Sequence, residues 1–585
     1  MTDLVPQPAR SEVAEGMRID WDVPVVMDDG VVLRADVFRP DTNGRFPVIL
    51  SYGPYAKGLP FQVGYPGAWS GMVEHHPDTA AGSSNKYQNW EVVDPEKWVP
   101  DGYVCVRVDS RGCGRSPGII DPFSPTENQD HYQCVEWAAE QAWCNGRVGL
   151  NGISYYAMNQ WLVASLQPPH LAAMCAWEGS SDWYRDATHH GGIVSTFWKN
   201  WYDMQVMTVQ NGLGEQGPRD PNSGLAVCGD EMLSAAQLEK HRIDLGAQVL
   251  GHPLVDDYHR DRSPDWSRVT VPLLSAGNWG GAGLHLRGNI EGFVRAASSQ
   301  KWLEMHGYGH WISFYTEYGV QLQKRFFNYF LRDRGDWMDQ PPVQLQVRHV
   351  DGTFVPRAES EWPLSRTRWT RLYLDAASKS LTAEKSQAEA SLSYSPTGDG
   401  LTFTTAPLEK DTEATGPLAA KLFIASTSID ADIFLVVRAF SPQEEEVVFE
   451  GAIDPHTPVA QGWLRASHRK LDPALSLPYR PYHTHDDAQP LVAGIVHEID
   501  VEIWPTCVVL PAGYRLALTV RGRDYVYPGP SGGFLSHFKN ELLGCGPFLH
   551  DDPDDRPTER DADRVTLYTG GAHASYLLLP VIPPA

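Results

Sequence analysis

The sequence predicts an α/β fold with an inserted helical segment, followed by an all-β domain. Up to residue 183, and again from 268 to 340, short apolar runs alternate with amphipathic helix patterns, as in a mainly parallel sheet covered by helices. The alternation stops between residues 184 and 267, and beyond residue 341 only short strand patterns between Gly, Pro and Asp turns remain. We therefore expect an α/β domain formed by 1–183 and 268–340, a helical cap formed by 184–267, and a β-sandwich or jelly roll formed by 341–585.

Length and composition are those of a globular, multidomain chain. The 585 residues allow roughly three or four domains at ~150 residues each. The formal charge is −25, with 48 basic against 73 acidic residues. The chain has no basic run that would neutralise a phosphate backbone, so no nucleic-acid partner is expected.

Targeting signals and cysteine spacing also exclude several classes of protein. The first residues lack the pattern of a signal peptide, and no apolar run approaches the roughly 18 residues that span a bilayer, so no membrane association is expected. The eight cysteines are scattered without a Cys-x-x-Cys pair, which predicts buried free thiols in a cytoplasmic protein without a metal or other cofactor. The sequence leaves open whether copies of the chain form a homo-oligomer.

Two buried-strand patterns in the first part of the chain lead into polar loops. The strand Pro47–Ser51 continues into Tyr52–Lys57, and the strand Tyr103–Val108 continues into Asp109–Ser116. Ligands of α/β sheets bind beyond the carboxyl ends of the strands, so the Tyr52–Lys57 loop is expected near a site. The second loop contains two glycines and two arginines but lacks the Walker pattern, which favours a structural loop over a phosphate site.

Residues Arg147–Ala157 predict a nucleophile elbow with Ser154 at its tip. A short apolar run reaches Gly152, and a helix pattern from Tyr155 to Leu166 follows the serine. A strand, a sharp turn at a serine and a helix form the elbow of an α/β-hydrolase. The usual second glycine is replaced by Tyr156, and the small residue comes one position later. Because isolated Gly-x-Ser turns are common, the serine needs catalytic partners elsewhere in the chain.

His310 is the predicted general base. It follows the apolar strand 301–305 and lies 156 residues beyond Ser154. In this fold the histidine comes after the nucleophile in the chain, and His310 satisfies that order. His306 is the alternative, but its place nearer the strand end favours a structural role. Two histidine pairs lack metal-ligand spacing and are expected to be surface or cap residues, namely His189 with His190 and His483 with His485.

The acid of the triad is predicted to be Glu178, with Asp182 as the alternative. The acid usually follows the strand before the histidine, but the loop 277–283 contains no carboxylate. The preceding strand pattern, 171–177, ends at Glu178, and Asp182 lies four residues further on. Parallel strands end at the same edge of a sheet, so an acid from the neighbouring strand can reach the histidine. The competing interpretation is that either carboxylate only caps the next helix.

Two donors are predicted for the oxyanion that forms during acyl transfer. The backbone N–H of Tyr155 belongs to the elbow itself. The usual His-Gly-Gly-Gly donor loop is missing, and Tyr55 stands in the corresponding region with a hydroxyl that can donate. Simple aromatic packing is the alternative role for Tyr55.

These features together resemble the cocaine esterase / X-prolyl dipeptidyl aminopeptidase family of serine hydrolases. The matching segments, from about residue 20 onward, include Pro54-Tyr55-x-Lys57, Asp109-x-Arg-Gly-x-Gly-x-Ser116, Gly152-x-Ser-Tyr155, Ser181-Asp-x-Tyr184-Arg185, Gly309-His310 and Gly462-Trp-Leu-Arg-Ala-Ser-His-Arg469. The resemblance implies an α/β-hydrolase domain, a helical cap and a jelly roll. It also implies Ser154 as nucleophile, His310 as base, and Tyr55 with the Tyr155 amide as the oxyanion hole.

The resemblance does not supply the triad acid. That acid lies in a Gly-Trp-x-Asp pattern in the family, where this chain has Gly277-Asn-Trp-Gly. The α-amino acid ester hydrolases of the family also carry a carboxylate cluster just beyond it. Gly280–Gly283 provides no carboxylate, which argues against an ammonium-bearing substrate bound in that way.

The predicted activity is hydrolysis of a small-molecule carboxylic ester through an acyl-enzyme. Twenty tryptophans, among them Trp198 and Trp201 in the expected cap and Trp183 at its edge, suggest an apolar or aromatic acyl group, although ordinary core packing is the competing interpretation. An amidase or X-prolyl-type peptidase with the same residues is the enzymatic alternative. A non-catalytic binding protein that lacks the acid and binds carbohydrate through the jelly roll is the alternative from another class.

Overall fold

The first part of the chain forms a mainly parallel sheet in the computed structural model, which describes residues 8–533, 538, 540–556 and 562–584. The strands up to residue 359 are β1 (Arg10–Ala14), β2 (Met17–Val26), β3 (Val32–Pro40), β4 (Phe46–Gly53), β5 (Val104–Asp109), β6 (Cys144–Ile153), β7 (Leu171–Trp177), β8 (His189–His190), β9 (Ile193–Val194), β10 (Leu273–Asn278), β11 (Lys301–His306), β12 (Val343–His349) and β13 (Phe354–Glu359). The spatial order is β1-β2-β3-β5-β4-β6-β7-β10-β11-β12-β13. Strands β5 to β12 of this order run parallel, so their carboxyl ends meet at one edge.

The helices of this part cover the two faces of the sheet or lie in its connections. They are α1 (Phe61–Gly64), α2 (Pro66–His75), α3 (Pro95–Trp98), α4 (Pro125–Glu140), α5 (Tyr155–Leu166), α6 (Phe197–Trp201), α7 (Ala235–Lys240), α8 (Leu245–Gly251), α9 (Asp257–Arg260), α10 (Leu286–Arg295), α11 (Ile312–Tyr315) and α12 (Glu317–Arg332). Single π-helical turns lie at Trp183–Thr188 and Tyr202–Val206, and 3-10 turns at Pro77–Thr79, Val99–Asp101, Met207–Val209, Gly214–Gln216, Trp266–Arg268, Trp337–Asp339 and Ala466–His468.

Side-chain caps set the ends of the longer helices. Helix α4 begins after Ser124, whose side chain accepts the N–H of Glu127, and Pro125 occupies the first helical position. Helix α12 begins after Thr316, whose side chain accepts the N–H of Gly319. These caps fix where each helix starts on the sheet, and so how its apolar side meets the core.

The central strands are buried on both faces, as their continuous apolar runs predict. In β4, Ile49 packs into the hydrophobic cluster on one face, whereas Val48 and Leu50 pack into the cluster on the other. All eight cysteines are buried and unbridged, which confirms the prediction of free thiols.

The segment between β7 and β10 departs from this alternation. It contains α6 to α9, two π-helical turns and the two-residue strands β8 and β9, which pair with each other. The sequence pattern gave no sign of these two strands. Aromatic side chains of the segment pack into the same cluster as the sheet beneath it, and they include Trp183, Trp198, Trp201 and Tyr202.

The last part of the chain is rich in antiparallel sheet. Its strands are β14 (Arg368–Asp375), β15 (Ser380–Thr382), β16 (Ala390–Tyr394), β17 (Leu401–Thr404), β18 (Thr412–Ser426), β19 (Asp432–Phe440), β20 (Glu446–Val447), β21 (Ala460–Arg465), β22 (His497–Leu510), β23 (Arg515–Arg521), β24 (Val565–Thr569) and β25 (Tyr576–Ile582). Strand β18 pairs with β22, β24 and β25, and β19 pairs with β20, β21 and β23. Apolar side chains of both groups share one core, for example Leu422, Ile433, Val501 and Leu518.

The two parts of the chain are joined through buried polar contacts as well as through the pairing of β12 with β22. Arg287 at the start of α10 is buried, and it places Nη1 2.7 Å from Asp186 Oδ1 and Nε 2.9 Å from Glu502 Oε1 on β22. One side chain thus links the sheet, the inserted segment and the C-terminal strands. Within the described ranges, no helix is long and apolar enough to cross a bilayer.

Candidate active site

The strand, turn and helix predicted around Ser154 are present. Ser154 lies between β6 and α5 with φ 58° and ψ −114°, a conformation that costs energy for a residue with a Cβ and is kept where function needs it. Gly152 is required beside it, because a Cβ there would lie 2.4 Å from Cβ of Tyr156. The turn therefore exposes the Ser154 hydroxyl at the carboxyl edge of the sheet.

Tyr156, which replaces the second glycine of the simple motif, is accommodated by glycines elsewhere. Its ring covers Gly53 at the end of β4, where a Cβ would lie 2.6 Å from a ring atom. The next residue, Ala157, faces Gly179, where a Cβ would lie 2.6 Å from the alanine Cβ. The small residue at 157 thus lets the loop that follows β7 approach the elbow.

Glu178 and His310 meet at this edge. Glu178 directly follows β7 with φ 48°, and its Oε2 lies 2.7 Å from Nδ1 of His310. Asn278 ends β10, the strand after which the usual acid would follow, and donates from Nδ2 to Glu178 Oε1 over 3.3 Å and to the carbonyl of Tyr308 over 2.8 Å. The Asn278 amide therefore supports a carboxylate that comes from the neighbouring strand.

His306 lies behind this pair. Its Nε2 is 2.9 Å from the other oxygen of Glu178, and its Nδ1 is 2.6 Å from Oε2 of Glu304. The ring stacks on Trp177, with 5.0 Å between ring centroids. His306 thus contacts the carboxylate rather than the cleft, which fits the structural role expected for it.

Nε2 of His310 contacts a second carboxylate, Glu91, rather than the serine. The distance from Nε2 to Glu91 Oε1 is 3.1 Å, and among the described residues no hydrogen bond joins His310 to Ser154. Glu91 is buried with φ 63°, and its backbone oxygen accepts the N–H of Ile153 in the elbow over 2.9 Å. No pattern in the sequence predicts a role for this residue.

The histidine that contacts Ser154 is His285, a residue that was also not predicted from the sequence. Its Nε2 lies 3.1 Å from Ser154 Oγ, and its Nδ1 accepts the backbone N–H of Ser180 over 3.1 Å. The ring lies nearly parallel to that of His310, with 5.3 Å between centroids and 14° between planes. Two histidines therefore lie side by side next to the elbow.

Burial and charge set the protonation of this group. Burial acts to raise the pKa of Glu178, but the charges and hydrogen bonds of His310 and His306 outweigh it and hold the pKa below its ordinary value. Burial acts to lower the pKa of His310, but Glu178 and Glu91 outweigh it and raise that pKa to about 10. Burial raises the pKa of Glu91 to about 7, against the opposing effect of His310. With both carboxylates ionised, His310 is an imidazolium held between them.

The two predicted oxyanion donors lie in the same region. Tyr55 and Ser154 line one cleft, and the indole N–H of Trp201 donates to the Tyr55 hydroxyl oxygen over 2.9 Å, which leaves the Tyr55 O–H free to donate. Burial raises the pKa of Tyr55 well above its ordinary value, so its hydroxyl keeps its proton. No described residue accepts the backbone N–H of Tyr155, whose side-chain hydroxyl donates to Glu127 over 2.6 Å.

The loop that carries Tyr55 is fixed by a buried ion cluster. Lys57 Nζ lies 2.9 Å from Asp36 and 3.3 Å from Asp22. The backbone N–H of Lys57 donates to Asp109 Oδ1 over 2.6 Å, and Asp109 also accepts the N–H of Arg115 over 2.8 Å. The Asp109–Ser116 loop thus has the structural role expected for it, since it clamps the Tyr55 loop.

The cleft in front of Ser154 is lined mainly by aromatic side chains. About 640 Å³ of space, part of it open to solvent, lies between the lining atoms. Trp201 is the one of the three cap tryptophans singled out from the sequence that reaches the cleft, whereas Trp183 and Trp198 pack behind it with Phe123. The other aromatic lining residues are Tyr65, Trp90, Phe197, Trp311, Phe538 and Phe548.

The remaining candidates from the sequence have other positions. Asp182 caps the π-helical turn 183–188 by accepting the N–H groups of Tyr184 and Arg185, and it pairs with the Arg185 side chain over 2.9 Å. Of the histidine pairs expected at the surface or in the cap, 189/190 lies in the inserted segment and 483/485 in the C-terminal part, and both pairs are buried. Within the described residues, no three His, Cys, Asp or Glu side chains are arranged to bind a metal ion.

The C-terminal part also contacts the site. The backbone N–H of His310 donates to the carbonyl of Ala452 over 2.8 Å, and the N–H of Ala452 donates to the carbonyl of Gly280 over 3.1 Å. Ala452, Ile453 and Phe548 line the cleft. The position of His310 and the lining of the cleft therefore depend on both parts of the chain.

Comparisons with known proteins give one consistent result. The family model of the X-Pro dipeptidyl-peptidase (S15 family) matches residues 29–311, and the model of the X-Pro dipeptidyl-peptidase C-terminal non-catalytic domain matches residues 335–578. A cocaine esterase from Rhodococcus sp. (strain MB1 Bresler) is 24% identical over 634 residues, which cover 96% of this chain and 98% of that protein.

Solved structures share the architecture over its whole length. A CocE/NonD family hydrolase from Staphylococcus aureus is 31% identical, with 99% of this chain and 98% of that chain covered and a TM-score of 0.84. An α-amino acid ester hydrolase is 15% identical, with 99% of each chain covered and a TM-score of 0.67, which shows a shared fold alone.

Proposed function

The chain belongs to the CocE/NonD family of hydrolases, and we propose that it cleaves carboxylic esters with Ser154 as the nucleophile. One observation carries this proposal. A serine in a strained elbow, a histidine held by a buried carboxylate and two oxyanion donors converge on one aromatic cleft. Acyl transfer through serine needs these three groups.

The proposed roles follow from the contacts. Ser154 Oγ attacks the ester carbonyl carbon while its proton passes to Nε2 of His310, whose Nδ1–H is held by Glu178. Tyr55 O–H and Tyr155 N–H donate to the carbonyl oxygen as it becomes an oxyanion. Collapse of the tetrahedral intermediate expels the alcohol, which takes the proton from His310, and water then repeats the sequence to release the acid.

For His310 to accept that proton, its Nε2 must first pass its own proton to Glu91, which leaves the imidazole neutral, and must then turn from Glu91 to Ser154. A small rotation of the imidazole serves this purpose, because Glu91 and Ser154 line the same cleft. Protonation of Glu91, whose pKa is raised to about 7, weakens the competing contact. We therefore assign Glu91 the role of holding His310 in the free enzyme.

The lining of the cleft supports an apolar or aromatic acyl group, because tryptophan, tyrosine and phenylalanine surround the space in front of Ser154. An amidase or X-prolyl-type peptidase is the second candidate, supported by the match to the S15 family. Turnover of matched ester and amide substrates separates the two, since faster amide cleavage would favour the peptidase.

The same proposal extends to the domains and the compartment. We assign 1–183 and 268–340 to an α/β-hydrolase domain, 184–267 to a helical cap and 341–585 to a jelly roll. The parallel strand order, the short helices between β7 and β10, and the two groups of antiparallel strands around one core support this assignment. Buried unbridged cysteines support a cytoplasmic location.

Substitution of the nucleophile tests the function. Ser154→Ala is expected to lower kcat at least about 10³-fold and to abolish covalent labelling by an organophosphate. Ser165→Ala is the matched control, because that buried hydroxyl only donates to the carbonyl of Leu162 within α5. Unchanged hydrolysis and labelling in Ser154→Ala would exclude the proposed chemistry and favour a binding protein.

A further inference from the structure

We infer that His285 is a second catalytic histidine, which donates a hydrogen bond from Nε2 to Ser154 Oγ throughout the reaction and accepts no proton. This inference rests on the proposed function, since it concerns how Ser154 is activated. Its starting point is the contact itself: His285, and not the predicted base, lies 3.1 Å from the nucleophile oxygen.

The tautomer of His285 follows from its other nitrogen. Nδ1 lies 3.1 Å from both the backbone nitrogen and Oγ of Ser180, and of these two partners the backbone N–H can only donate. Nδ1 is therefore the unprotonated acceptor, and the single proton of the neutral imidazole is on Nε2. The Ser180 hydroxyl donates to the carbonyl of Leu284 over 2.6 Å, which holds this loop against the histidine.

The neutral form is also the one that the surroundings favour. His285 is buried, and burial together with the neighbouring charge of His310 lowers its pKa well below the ordinary value. No carboxylate contacts either ring nitrogen in the described structure, in contrast to His310, which has two. The imidazole that touches the serine is thus unsuited to take a proton and suited to give a hydrogen bond.

This arrangement has a chemical consequence at Ser154 Oγ. Because Oγ accepts from His285, its own proton remains available for His310 Nε2. When that proton leaves and Oγ bonds to the carbonyl carbon, negative charge develops on Oγ during the transfer. The Nε2–H of His285 stabilises this charge by donating a hydrogen bond to Oγ. In deacylation the bond from Oγ to carbon breaks and Oγ regains a proton from His310, and the same donor stabilises the departing oxygen.

The position of the donor is set by rigid structure. His285 immediately precedes α10, and Arg287 in the first turn of that helix is anchored by Asp186 and Glu502. The ring lies nearly parallel to that of His310, with 14° between their planes. Preorganised donors of this kind lower the barrier because they need no rearrangement during the reaction.

Two substitutions separate a donor from a base. His285→Leu removes the hydrogen bond at similar volume and is expected to lower kcat about 10²-fold or more, with KM changed less than about threefold. His285→Gln keeps an N–H donor and is expected to stay within about tenfold of the wild-type kcat. His310→Gln serves as the reference for loss of the base, and His131→Gln, a buried histidine without hydrogen-bond partners, serves as the control for folding.

The outcomes distinguish this inference from the proposed function. If the kcat of His285→Gln falls as far as that of His310→Gln, His285 is the base and the inference is wrong. If the kcat of His285→Leu stays within about tenfold of the wild-type kcat while Ser154→Ala is inactive, the inference fails and the proposed function stands.

A measurement on the wild-type protein does not depend on how the variants fold. In ¹⁵N-histidine NMR spectra, the signal lost in His285→Gln should show a protonated Nε2 and an unprotonated Nδ1. The opposite tautomer would overturn the assignment.

Discussion

Nδ1 of His310 lies 2.7 Å from Oε2 of Glu178, although the two residues follow strands that are not neighbours in the sheet. Strand β10 lies between β7 and β11, and it ends at Asn278 instead of a carboxylate. Because all three strands run parallel, their carboxyl ends meet at one edge, and the carboxylate reaches the histidine from one strand further away. In the proposed triad, the acid therefore comes from another strand while the chain order of serine, acid and histidine is kept.

Glu178→Gln is expected to lower kcat about 10³- to 10⁴-fold with little change in KM. The amide keeps the size of the side chain but no longer stabilises the imidazolium or fixes its tautomer. Steady-state kinetics on an ester substrate measures the effect. Asp182→Asn is the control, because Asp182 caps a helical turn and pairs with Arg185 away from His310. A variant at 182 that loses kcat while Glu178→Gln keeps it would show that the acid is assigned wrongly.

Glu91→Gln is expected to shift the acidic limb of the kcat/KM profile to lower pH, by about one unit or more. The Glu91 carboxylate raises the pKa of His310, and the base is active only when neutral, so removing that charge lets His310 lose its proton at lower pH. Glu127→Gln removes another buried carboxyl, one that contacts Tyr155 rather than His310 and should leave the limb in place. A limb that stays or moves to higher pH in Glu91→Gln would contradict this role.

Tyr55→Phe is expected to lower kcat about 10²-fold while KM stays nearly constant, because the hydroxyl donates to the oxyanion only as it develops. Stopped-flow or steady-state assays of the purified variant give both parameters. Tyr202→Phe removes a hydroxyl that bonds to the carbonyl of Ile243 in the inserted segment and should leave kcat unchanged. If Tyr55→Phe also retains kcat, packing is the whole role of Tyr55.

His468→Gln is expected to make the stability of the folded protein less sensitive to acid. Burial lowers the pKa of His468 to about 4, and the ring lies against His485 with 3.1 Å between their Nδ1 atoms. The unfolded chain binds a proton at this residue near pH 6.5, so the residue costs stability as pH falls from about 6.5 toward 4. At pH 5 this cost is about 2 kcal/mol.

The Tm difference between pH 7 and pH 5 checks this expectation. It should be smaller in His468→Gln than in wild type, whereas His75→Gln, at an exposed histidine, should match wild type. An equal or larger difference in His468→Gln would contradict the expected sign.

Much of the site could be predicted because parallel strands impose a common edge. Ser154, Glu178 and His310 each lie at or just beyond a strand end, and local apolar patterns locate such ends in the sequence. The same patterns did not separate surface from buried histidines. The pairs at 189/190 and 483/485 are buried because the inserted segment packs against the C-terminal part, as the contacts of His190 with Trp463 and of Tyr184 with His485 show, and no local pattern reveals this.

Glu91 and His285 could not be predicted for two different reasons. Glu91 lies in a long aromatic loop without periodicity, and only its contact with the elbow carries it to the site. His285 had a usable signal, since it comes seven residues after β10 ends at the shared edge and directly before α10. Only a carboxylate was expected in that loop, so the histidine was not predicted to have a role.

The hydrogen bond from His310 N–H to the carbonyl of Ala452 has a consequence for the synthesis of the protein. His310 leaves the ribosome well before Ala452, and the cleft residue Phe548 follows later still. A nascent chain therefore carries the turn at Ser154 long before it can have the complete cleft. Hydrolytic activity must arise late, once the C-terminal strands have been translated and have folded against the sheet.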